Sequence, residues 1–349
     1  MITKVCAIST VIFSLTGCAS QTPEIYSLCQ RDGIGNYIIK WETTPQMNGQ
    51  MRLVVSDNPD MLQSLPAGYA DIREGVMTYI TNDNISRKYF SLSFDNTYEQ
   101  IVASRLLTMD SVQNFRDMGG YISFRGRSTR WGKVFRSGAI SRMSDRDMSR
   151  LDRLKIKTII DLRSEQEVRD MPVNYPKAKV INLPVTSDTN DIFSRIMEGK
   201  VRKGDGSLFM QDLYLQYLTA SRQAFAKALN LFLDEDNYPI LFNCSMGKDR
   251  SGILAALLLA ALDVPEETIF RDYMATNDYL DIRRYADLVK GMDTDIQEAL
   301  TVILSADETF LDVVFRKIKK EYGSIPQYLD KEMQLTDKQR EKLKDILLF

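Results

Sequence analysis

The feature that most constrains the fold is a short polar segment between two apolar stretches. Residues 244–252 read Cys-Ser-Met-Gly-Lys-Asp-Arg-Ser-Gly and follow the apolar run Pro239–Phe242. A longer apolar stretch, Ile253–Leu262, comes directly after them. A buried strand, a tight loop and a buried helix account for this order of short and long apolar runs. The segment therefore predicts a loop that leads from a sheet strand into a helix N-terminus.

The residues of this loop indicate anion binding and covalent catalysis. Backbone N–H groups in such a loop converge on one spot, and the helix dipole favours negative charge there. A cysteine at that spot, Cys244, has its thiolate stabilised and becomes nucleophilic. Arg250 is six residues further on and can bind two oxygens of a phosphate in bidentate fashion. The loop predicts a phosphatase with a phosphocysteine intermediate, and the alternative is an inert structural cysteine.

The other loop residues favour phosphate binding over a structural cysteine. Gly247 permits a sharp turn and a close approach to an anion. Lys248 adds a second cation, and Ser251 brings a hydroxyl to the sulfur, where it would assist the thiolate as a leaving group. We expect the substrate to be bound by the loop as a whole, which comprises Ser245, Met246, Gly247, Lys248, Asp249 and Arg250.

The chain has 349 residues and no histidine, so proton transfer falls to other side chains. The leaving oxygen of a phosphate ester needs a proton, and a carboxylic acid is the expected donor. The candidates are Asp249, inside the loop, and Asp161, at the end of an apolar strand pattern over Thr158–Leu162. The alternative role for Asp249 is to cap the helix N-terminus, and that for Asp161 is a salt bridge with Arg163 or another cation. The sequence leaves both candidates open.

The first residues have the pattern of an export signal. Lys4 precedes a mostly apolar stretch, Val5–Leu15, which is too short to span a membrane as a helix. The end of this stretch, Leu-Thr-Gly-Cys, resembles the lipobox of bacterial lipoproteins, which implies cleavage after residue 17 and lipid attachment to Cys18. An ordinary secretory signal is the alternative. We expect an exported protein that its lipid anchors to a bacterial membrane, facing the periplasm or the cell surface.

Three regions follow the predicted signal peptide, residues 1–17. Residues 18–30 are predicted to form a tether. Residues 31–108 contain short alternating runs of β-branched and aromatic residues between turn residues, which is typical of a small β-sandwich-like domain. In residues 109–349, strand patterns alternate with helical ones. This region is predicted to be an α/β domain, with a mainly parallel sheet flanked by helices and a ligand site at the carboxyl ends of the strands.

Several helix boundaries in the α/β region carry sequence signals. Ser144 precedes an acidic helical turn and is expected to cap a helix, and Thr336 is expected to cap the last one. The residues Leu213–Leu233 have a helical apolar period and are expected to form one long amphipathic helix.

Charge and cysteine content limit the classes of function. The formal net charge of −2 gives no basis for general nucleic-acid binding. Outside the predicted signal and lipobox, only Cys29 and Cys244 remain, and we expect both to be free thiols because a disulfide would silence the nucleophile. A redox or arsenate-reducing enzyme is an alternative. Such chemistry usually needs resolving cysteines near the nucleophile, and Cys29 lies in a separate segment.

Five segments of the α/β region resemble, in order, motifs of the bacterial tyrosine-phosphatase-like family, which includes secreted tyrosine and lipid phosphatases. They are NFRDMGGY at 114–121, VFRSGAIS at 134–141, IIDLRSEQE at 159–167, CSMGKDRSG at 244–252 and YGSIPQYL at 322–329. The resemblance implies a tyrosine-phosphatase-like fold with no metal and no organic cofactor. It implies hydrolysis of phosphotyrosine and, in some members, of phosphoserine, phosphothreonine or phosphoinositides.

The resemblance also implies roles for individual residues. Cys244 would be the nucleophile and Arg250 the phosphate clamp, while Lys248 and Asp249 distinguish this group from ordinary tyrosine phosphatases. The family normally has histidine immediately before the nucleophile, where this chain has Asn243. Because that histidine helps to hold the loop and to ionise the cysteine, a catalytically weak phosphate-binding module is the alternative to an enzyme.

Overall fold

The computed structural model describes residues 22–60, 65–187, 198, 200, 204–285 and 290–349. The predicted signal peptide and its lipid-attachment residue, Cys18, lie outside these ranges, so both stay predictions. Within the described ranges, every helix is too short or too polar to cross a membrane.

The N-terminal part folds into two antiparallel sheets. Its strands are β1 Glu24–Arg31, β2 Tyr37–Thr44, β3 Gln50–Ser56, β4 Gly68–Asp71, β5 Val76–Tyr79, β6 Tyr89–Phe94 and β7 Tyr98–Ala103. One sheet has the order β1-β2-β5 and the other β4-β3-β6-β7. A single buried cluster contains side chains of both sheets, and within it the rings of Trp41 and Phe94 meet edge to face at 6.2 Å. The prediction of a β-sandwich-like domain is confirmed.

The sandwich begins earlier than predicted, because β1 occupies most of the predicted tether. Its inward positions are small or partly buried, as at Ser27 and Cys29, while Tyr26 and Leu28 on the outward face stay exposed. A strand on a core normally places its large apolar side chains inward, but here Tyr26 and Leu28 point to solvent. The sequence of β1 therefore lacks the usual alternation of apolar inward and polar outward residues. The tether prediction is therefore wrong for residues 24–30.

The C-terminal part contains one five-stranded sheet. Its strands are β8 Arg116–Asp117, β9 Val134–Ser137, β10 Thr158–Asp161, β11 Lys179–Asn182 and β12 Ile240–Asn243. In the order β11-β10-β12-β9-β8, all neighbours are parallel except β8, which is antiparallel to β9. The central strands β10 and β12 are buried along their whole length, as expected for a sheet covered on both faces. A mainly parallel sheet is thus confirmed.

Eleven described helices accompany this sheet. They are α1 Asp145–Leu154, α2 Glu165–Asp170, α3 Asp205–Ala220, α4 Arg222–Leu231, α5 Asp249–Ala261, α6 Glu266–Met274, α7 Thr276–Tyr279, α8 Thr294–Leu304, α9 Glu308–Tyr322, α10 Ile325–Lys331 and α11 Asp337–Leu347. The caps predicted at Ser144 and Thr336 are confirmed, because each side chain accepts a hydrogen bond from a backbone N–H of the first turn. Helix α5 is apolar on nearly every side and lies in the largest buried cluster, which fixes its position at the centre of the domain.

The predicted long helix over Leu213–Leu233 is wrong, because the chain breaks it at Ser221. The Ser221 hydroxyl donates to the carbonyl of Thr186 at 3.0 Å and accepts from the N–H of Thr186 at 2.9 Å. A serine that bonds to backbone in this way competes with helical hydrogen bonding. The apolar period continues across the break, so the pattern alone does not reveal it.

A buried ion pair joins the two parts of the chain. Arg87, just before β6, forms a salt bridge with Asp117 on β8 and donates to the carbonyl of Ser104 at 2.9 Å. Asp117 also accepts hydrogen bonds from the N–H groups of Gly119 at 2.7 Å and Gly132 at 2.8 Å. Since both charged side chains are buried, each depends on the other for its partner.

We expect Arg87→Met to destabilise the protein strongly. The substitution leaves Asp117 buried without a cation, which costs about 3–5 kcal/mol in the free energy of unfolding. Urea denaturation measures the loss. The matched control is Arg283→Met, because Arg283 pairs with Asp281 while 88% exposed, and water screens such a pair so that its loss changes stability little. Equal small effects of the two variants would show that the buried pair does not hold the domains together.

Candidate active site

The predicted loop lies at the carboxyl edge of the parallel sheet. Strand β12 ends at Asn243, Cys244 follows with 2% exposure, and α5 begins at Asp249. Gly247 has a φ of +67°, and a Cβ atom there would lie 2.5 Å from the carbonyl carbon of Ser137. Only glycine fits this turn, because both the backbone angle and the close approach exclude a side chain.

The backbone carbonyls of the loop are bound from outside. Ala139 N–H donates to the carbonyl of Ser245 at 3.0 Å. Asn114 Nδ2 donates to the carbonyl of Gly247 at 2.9 Å and to that of the preceding residue at 3.2 Å. Arg136 Nη2 donates to the carbonyls of Gly247 at 2.8 Å and Lys248 at 3.3 Å.

The backbone N–H groups of the loop are left free by this arrangement. Those of residues 245–248 have no acceptor within the described part of the chain. The N–H groups of residues 246–248 share peptide units with the carbonyls of residues 245–247, and because those carbonyls are held outside, these three N–H groups turn toward the inside of the loop. Successive N–H groups in such a concave arrangement form an anion-binding nest.

The outer support is itself a buried charge network. Asp272 on α6 binds Arg136 Nη1 at 2.7 Å and Arg116 Nε at 3.1 Å, and it accepts a hydrogen bond from the Tyr121 hydroxyl at 2.6 Å. Burial opposes the charge on this carboxylate, but the two guanidinium groups hold its pKa well below the usual range. Asn114, whose φ is +56°, accepts a hydrogen bond from Arg116. The two motifs NFRDMGGY and VFRSGAIS therefore support the loop from behind.

Glu167 holds the guanidinium of Arg250. Arg250 donates to Glu167 Oε2 at 2.6 Å and to Oε1 at 2.9 Å, and its Nη2 donates to Ser245 Oγ at 2.7 Å. Glu167 also accepts a hydrogen bond from Ser164 N–H at 2.8 Å, in the capping box that begins α2. Burial would raise the pKa of Glu167, but the hydrogen bonds and charge of Arg250 outweigh it and lower the pKa to about 2.

Glu167 is a site residue that the sequence analysis missed. It ends the motif IIDLRSEQE, and the spacing Ser164-x-x-Glu167 is the signature of a capping box. That signature explains only the contact within α2. The contact of Glu167 with Arg250 depends on how α2 approaches the loop, which the local pattern does not show.

Asp161 is not positioned as a proton donor, which corrects one of the two candidates. Its side chain is fully buried and paired with Arg163 at 2.7 Å, the alternative that the sequence had left open. Asn243 Nδ2 also donates to Asp161 Oδ1 at 3.2 Å. Its two oxygens are engaged by Arg163 and Asn243, so this buried side chain supports the strand ends rather than facing a substrate. Asn243, in the place of the family histidine, thus braces β12 against β10.

Lys248 does not present its charge to a substrate, so its predicted binding role is corrected. Its side chain is fully buried and donates to the carbonyls of Ile303 and, at 2.9 Å, of Ser305 at the end of α8. The ammonium also lies 3.2 Å from Asp249 Oδ1. A cation satisfies the free carbonyls of a helix C-terminus, so Lys248 anchors the loop to α8. Its backbone N–H remains part of the nest.

Asp249 is the candidate donor that the structure leaves accessible. Its side chain is 19% exposed and accepts a hydrogen bond from the Tyr214 hydroxyl at 2.7 Å. No side-chain cap occurs at the start of α5, so the alternative capping role is not observed. Tyr217, one turn further along α3, is partly buried near the loop, and this burial raises the pKa of its hydroxyl above the ordinary value. Both tyrosines were absent from the predicted site.

The remaining predicted residues lie in the loop or directly behind it. Ser251 is fully buried, and its hydroxyl has no hydrogen-bond partner in the described structure.

Cys29 and Cys244 are both free. Cys29 lies in the core of the sandwich, where burial raises the pKa of its thiol to about 12 despite the charge of Arg87. A thiol in this state is a poor resolving cysteine, which weighs against the redox alternative.

No metal centre is apparent in the part of the chain that the structure describes. Among those residues, no group of three or more His, Cys, Asp or Glu side chains is arranged to hold a metal ion.

Comparison with known proteins places this site in a family. Residues 107–349 match the sequence profile of the tyrosine phosphatase family. A Cupriavidus necator protein, provisionally named a tyrosine-protein phosphatase, is 29% identical over 230 residues, which cover 64% of this chain and 82% of that protein. The triple specificity protein phosphatase PtpB of Mycobacterium tuberculosis is 28% identical over 251 residues, covering 62% of this chain and 90% of that protein.

A solved structure also aligns with part of the chain. The catalytic core of the PP-IP phosphatase SIW14 from S. cerevisiae covers 57% of this chain and 91% of its own, at 19% identity and a TM-score of 0.26.

We expect Glu167→Gln to lower turnover without unfolding the protein. The amide offers one acceptor where the carboxylate offers two charged ones, so Arg250 is less firmly oriented, and kcat/KM falls about 10–100-fold. Steady-state kinetics on a phosphotyrosine peptide measures the change. Glu165→Gln is the matched control, because Glu165 lies on the same helix and its partner among the described residues is the exposed Arg169. Equal activity of both variants with wild type would contradict an orienting role for Glu167.

The lowered pKa of Glu167 also makes the stability of the folded protein depend on pH. Its folded-state pKa of about 2 lies below the usual value of 4.5, so its ionisation stabilises the fold above pH 4.5. That contribution is lost as the pH falls from 4.5 toward 2. We expect the urea midpoint to fall less steeply in this window for Glu167→Gln than for wild type. Parallel curves would show that the ion pair with Arg250 does not stabilise the fold.

Proposed function

The chain belongs to the tyrosine phosphatase family, and we propose that it hydrolyses phosphotyrosine in proteins through a phosphocysteine intermediate. The proposed substrates also include phosphoserine and phosphothreonine. The observation that carries it is the row of unpaired N–H groups at residues 245–248, which lies between Cys244 and Arg250. Such a nest fits the three non-bridging oxygens of a phosphate ester and the charge that develops on them.

The first chemical step transfers the phosphoryl group to sulfur. The Cys244 thiolate attacks phosphorus as the bond to the ester oxygen breaks, and Arg250 and the loop N–H groups bind the phosphoryl oxygens. Asp249 gives its proton to the leaving oxygen and becomes a carboxylate.

The second step returns the enzyme to its starting state. Water attacks the phosphocysteine, Asp249 takes the proton of that water, and the sulfur leaves as thiolate. Ser251 supports this departure, because its buried hydroxyl is not engaged by another described group and is free to donate to the sulfur.

Protein substrates fit the site better than phosphoinositides do. A polyanionic inositol phosphate calls for several free cations, and Lys248, which the sequence offered for that purpose, is buried against the end of α8. One relative is named a triple specificity protein phosphatase, which supports including more than one phosphoamino acid in the proposal. Phosphoinositide hydrolysis is the alternative.

The proposed location of the protein is the periplasm or the cell surface, where a lipid on Cys18 attaches it to a bacterial membrane. The leader pattern ending at Cys18 supports export and attachment of a lipid to that cysteine. Phosphorylated proteins at the anchoring membrane would then be the substrates. Mass spectrometry of the N-terminal peptide of the membrane fraction tests it, since a lipid-modified Cys18 is expected and an unmodified, soluble mature chain would refute the anchor.

The proposed reaction is tested by phosphate release from a panel of substrates. A phosphotyrosine peptide, a phosphoserine peptide and a set of phosphoinositides are each incubated with wild type, Cys244→Ser and Cys29→Ala. We expect turnover of the phosphotyrosine peptide, its loss by about 10⁴-fold or more in Cys244→Ser, and its retention in Cys29→Ala. Dependence of turnover on Cys29 would instead indicate redox chemistry.

Two other outcomes would overturn the proposal in part or in full. Faster hydrolysis of a phosphoinositide than of any phosphopeptide would identify a lipid phosphatase. Binding of phosphopeptide without turnover, by folded wild-type protein, would identify a phosphate-binding module in which Asn243 replaces the family histidine.

A further inference from the structure

The Tyr214 hydroxyl lies in a buried hydrogen-bonded chain that ends on Asp249. Tyr214 is on α3 and is fully buried. Its hydroxyl donates to Asp249 Oδ1 at 2.7 Å and lies 2.7 Å from the hydroxyl of Tyr273 on α6. Since the single proton of Tyr214 goes to Asp249, the Tyr273 hydroxyl is the donor in the second bond. The chain therefore has one direction, from Tyr273 through Tyr214 to Asp249.

The contacts of Asp249 distinguish its two oxygens. The Tyr214 hydroxyl and, at 3.2 Å, the Lys248 ammonium both approach Oδ1. Because both partners are donors, Oδ1 has to remain an acceptor in every protonation state. The proton of the neutral acid is then carried by Oδ2, the oxygen that neither group approaches.

We propose that Tyr214 is a positioning residue for the proton donor: it holds Asp249 Oδ1 so that Oδ2 carries the proton to the leaving oxygen. This inference rests on the proposed function, in which Asp249 protonates that oxygen. As the S–P bond forms and the P–O bond breaks, the Oδ2 proton passes to the departing oxygen. The negative charge left on Asp249 is stabilised by the hydrogen bond from Tyr214 and by Lys248.

The surroundings keep Tyr214 in this role. Burial and the nearby charge of Asp249 raise the pKa of Tyr214 well above its ordinary value, so the hydroxyl keeps its proton and remains a donor. The ring is fixed by edge-to-face contact with Tyr273 at 6.2 Å and by tilted contact with Phe310 at 5.9 Å. A rigid donor costs little reorganisation during the reaction.

The role of Tyr214 in proton donation is tested by comparing substrates whose leaving groups do and do not need a proton. An alkoxide or phenoxide is a poor leaving group and needs the proton, whereas nitrophenolate leaves without one. We expect Tyr214→Phe to lower kcat/KM, which reports the first chemical step alone, about tenfold on phenyl phosphate and on a phosphoserine peptide, the value of one hydrogen bond to a charged group. On p-nitrophenyl phosphate we expect a change of less than about twofold. The comparison is internal to one sample, so partial misfolding would lower all rates alike.

Two matched variants distinguish the positioning role of Tyr214 from the general effect of removing a buried tyrosine hydroxyl. Tyr328→Phe also removes a buried tyrosine hydroxyl, one without a hydrogen-bond partner among the described residues, and is expected to leave the ratio of the rates unchanged. Tyr273→Phe removes the hydroxyl behind Tyr214 and is expected to change the ratio less than Tyr214→Phe does.

The ratio of these rates is a readout that a purely structural role would not move. A wild-type ratio in Tyr214→Phe would overturn the positioning role.

Asp249→Asn distinguishes failure of this inference from failure of the proposed function. If Asp249→Asn loses turnover of phenyl phosphate while Tyr214→Phe does not, the positioning role is wrong and the donor assignment stands. If Asp249→Asn keeps that turnover while Cys244→Ser abolishes it, both the donor assignment and the role of Tyr214 are wrong, and the phosphocysteine route remains.

Discussion

The site depends on the way in which the carbonyl groups of residues 245–248 are bound from outside the loop. A peptide unit can direct only one of its two polar groups inward, and an anion requires the N–H. Arg136 and Asn114 hold the carbonyls, and Asp272 holds Arg136. The cost of burying these charges is offset only while the set is complete. The network therefore determines which side of the loop can bind phosphate.

The α/β region shows how much of this could be predicted from the sequence. Cys244 and Arg250 were found because their loop lies between a short and a long apolar run, a local pattern that specifies strand, turn and helix. Gly247 followed from the same geometry. The sandwich followed from alternation in most strands, but β1 was missed because its apolar side chains, Tyr26 and Leu28, point outward. The sequence did not predict side-chain contacts between segments that are far apart along the chain.

Lys248 illustrates that limit, whereas Asp161 has the local partner that the sequence already offered as an alternative. Lys248 was assigned to the substrate by its charge, yet its ammonium satisfies carbonyls at the end of α8, some 55 residues further along the chain. Asp161 was a candidate acid because it ends a strand at the correct edge of the sheet, but it is buried and paired with Arg163. Glu167 and Tyr214 were missed for the converse reason. Their own helices explain the local patterns around them, and only packing brings them to Arg250 and Asp249.

The segment 114–117 has a further consequence through its three polar residues. Asn114 binds the catalytic loop, Arg116 binds Asp272, and Asp117 binds Arg87 of the sandwich. This short segment therefore contacts both the catalytic loop and the neighbouring domain. A recombination event that exchanged the sandwich for another domain would have to supply a new cation at the place of Arg87. Removal of the sandwich alone would therefore leave a buried carboxylate without its cation in the same short segment that supports the catalytic loop.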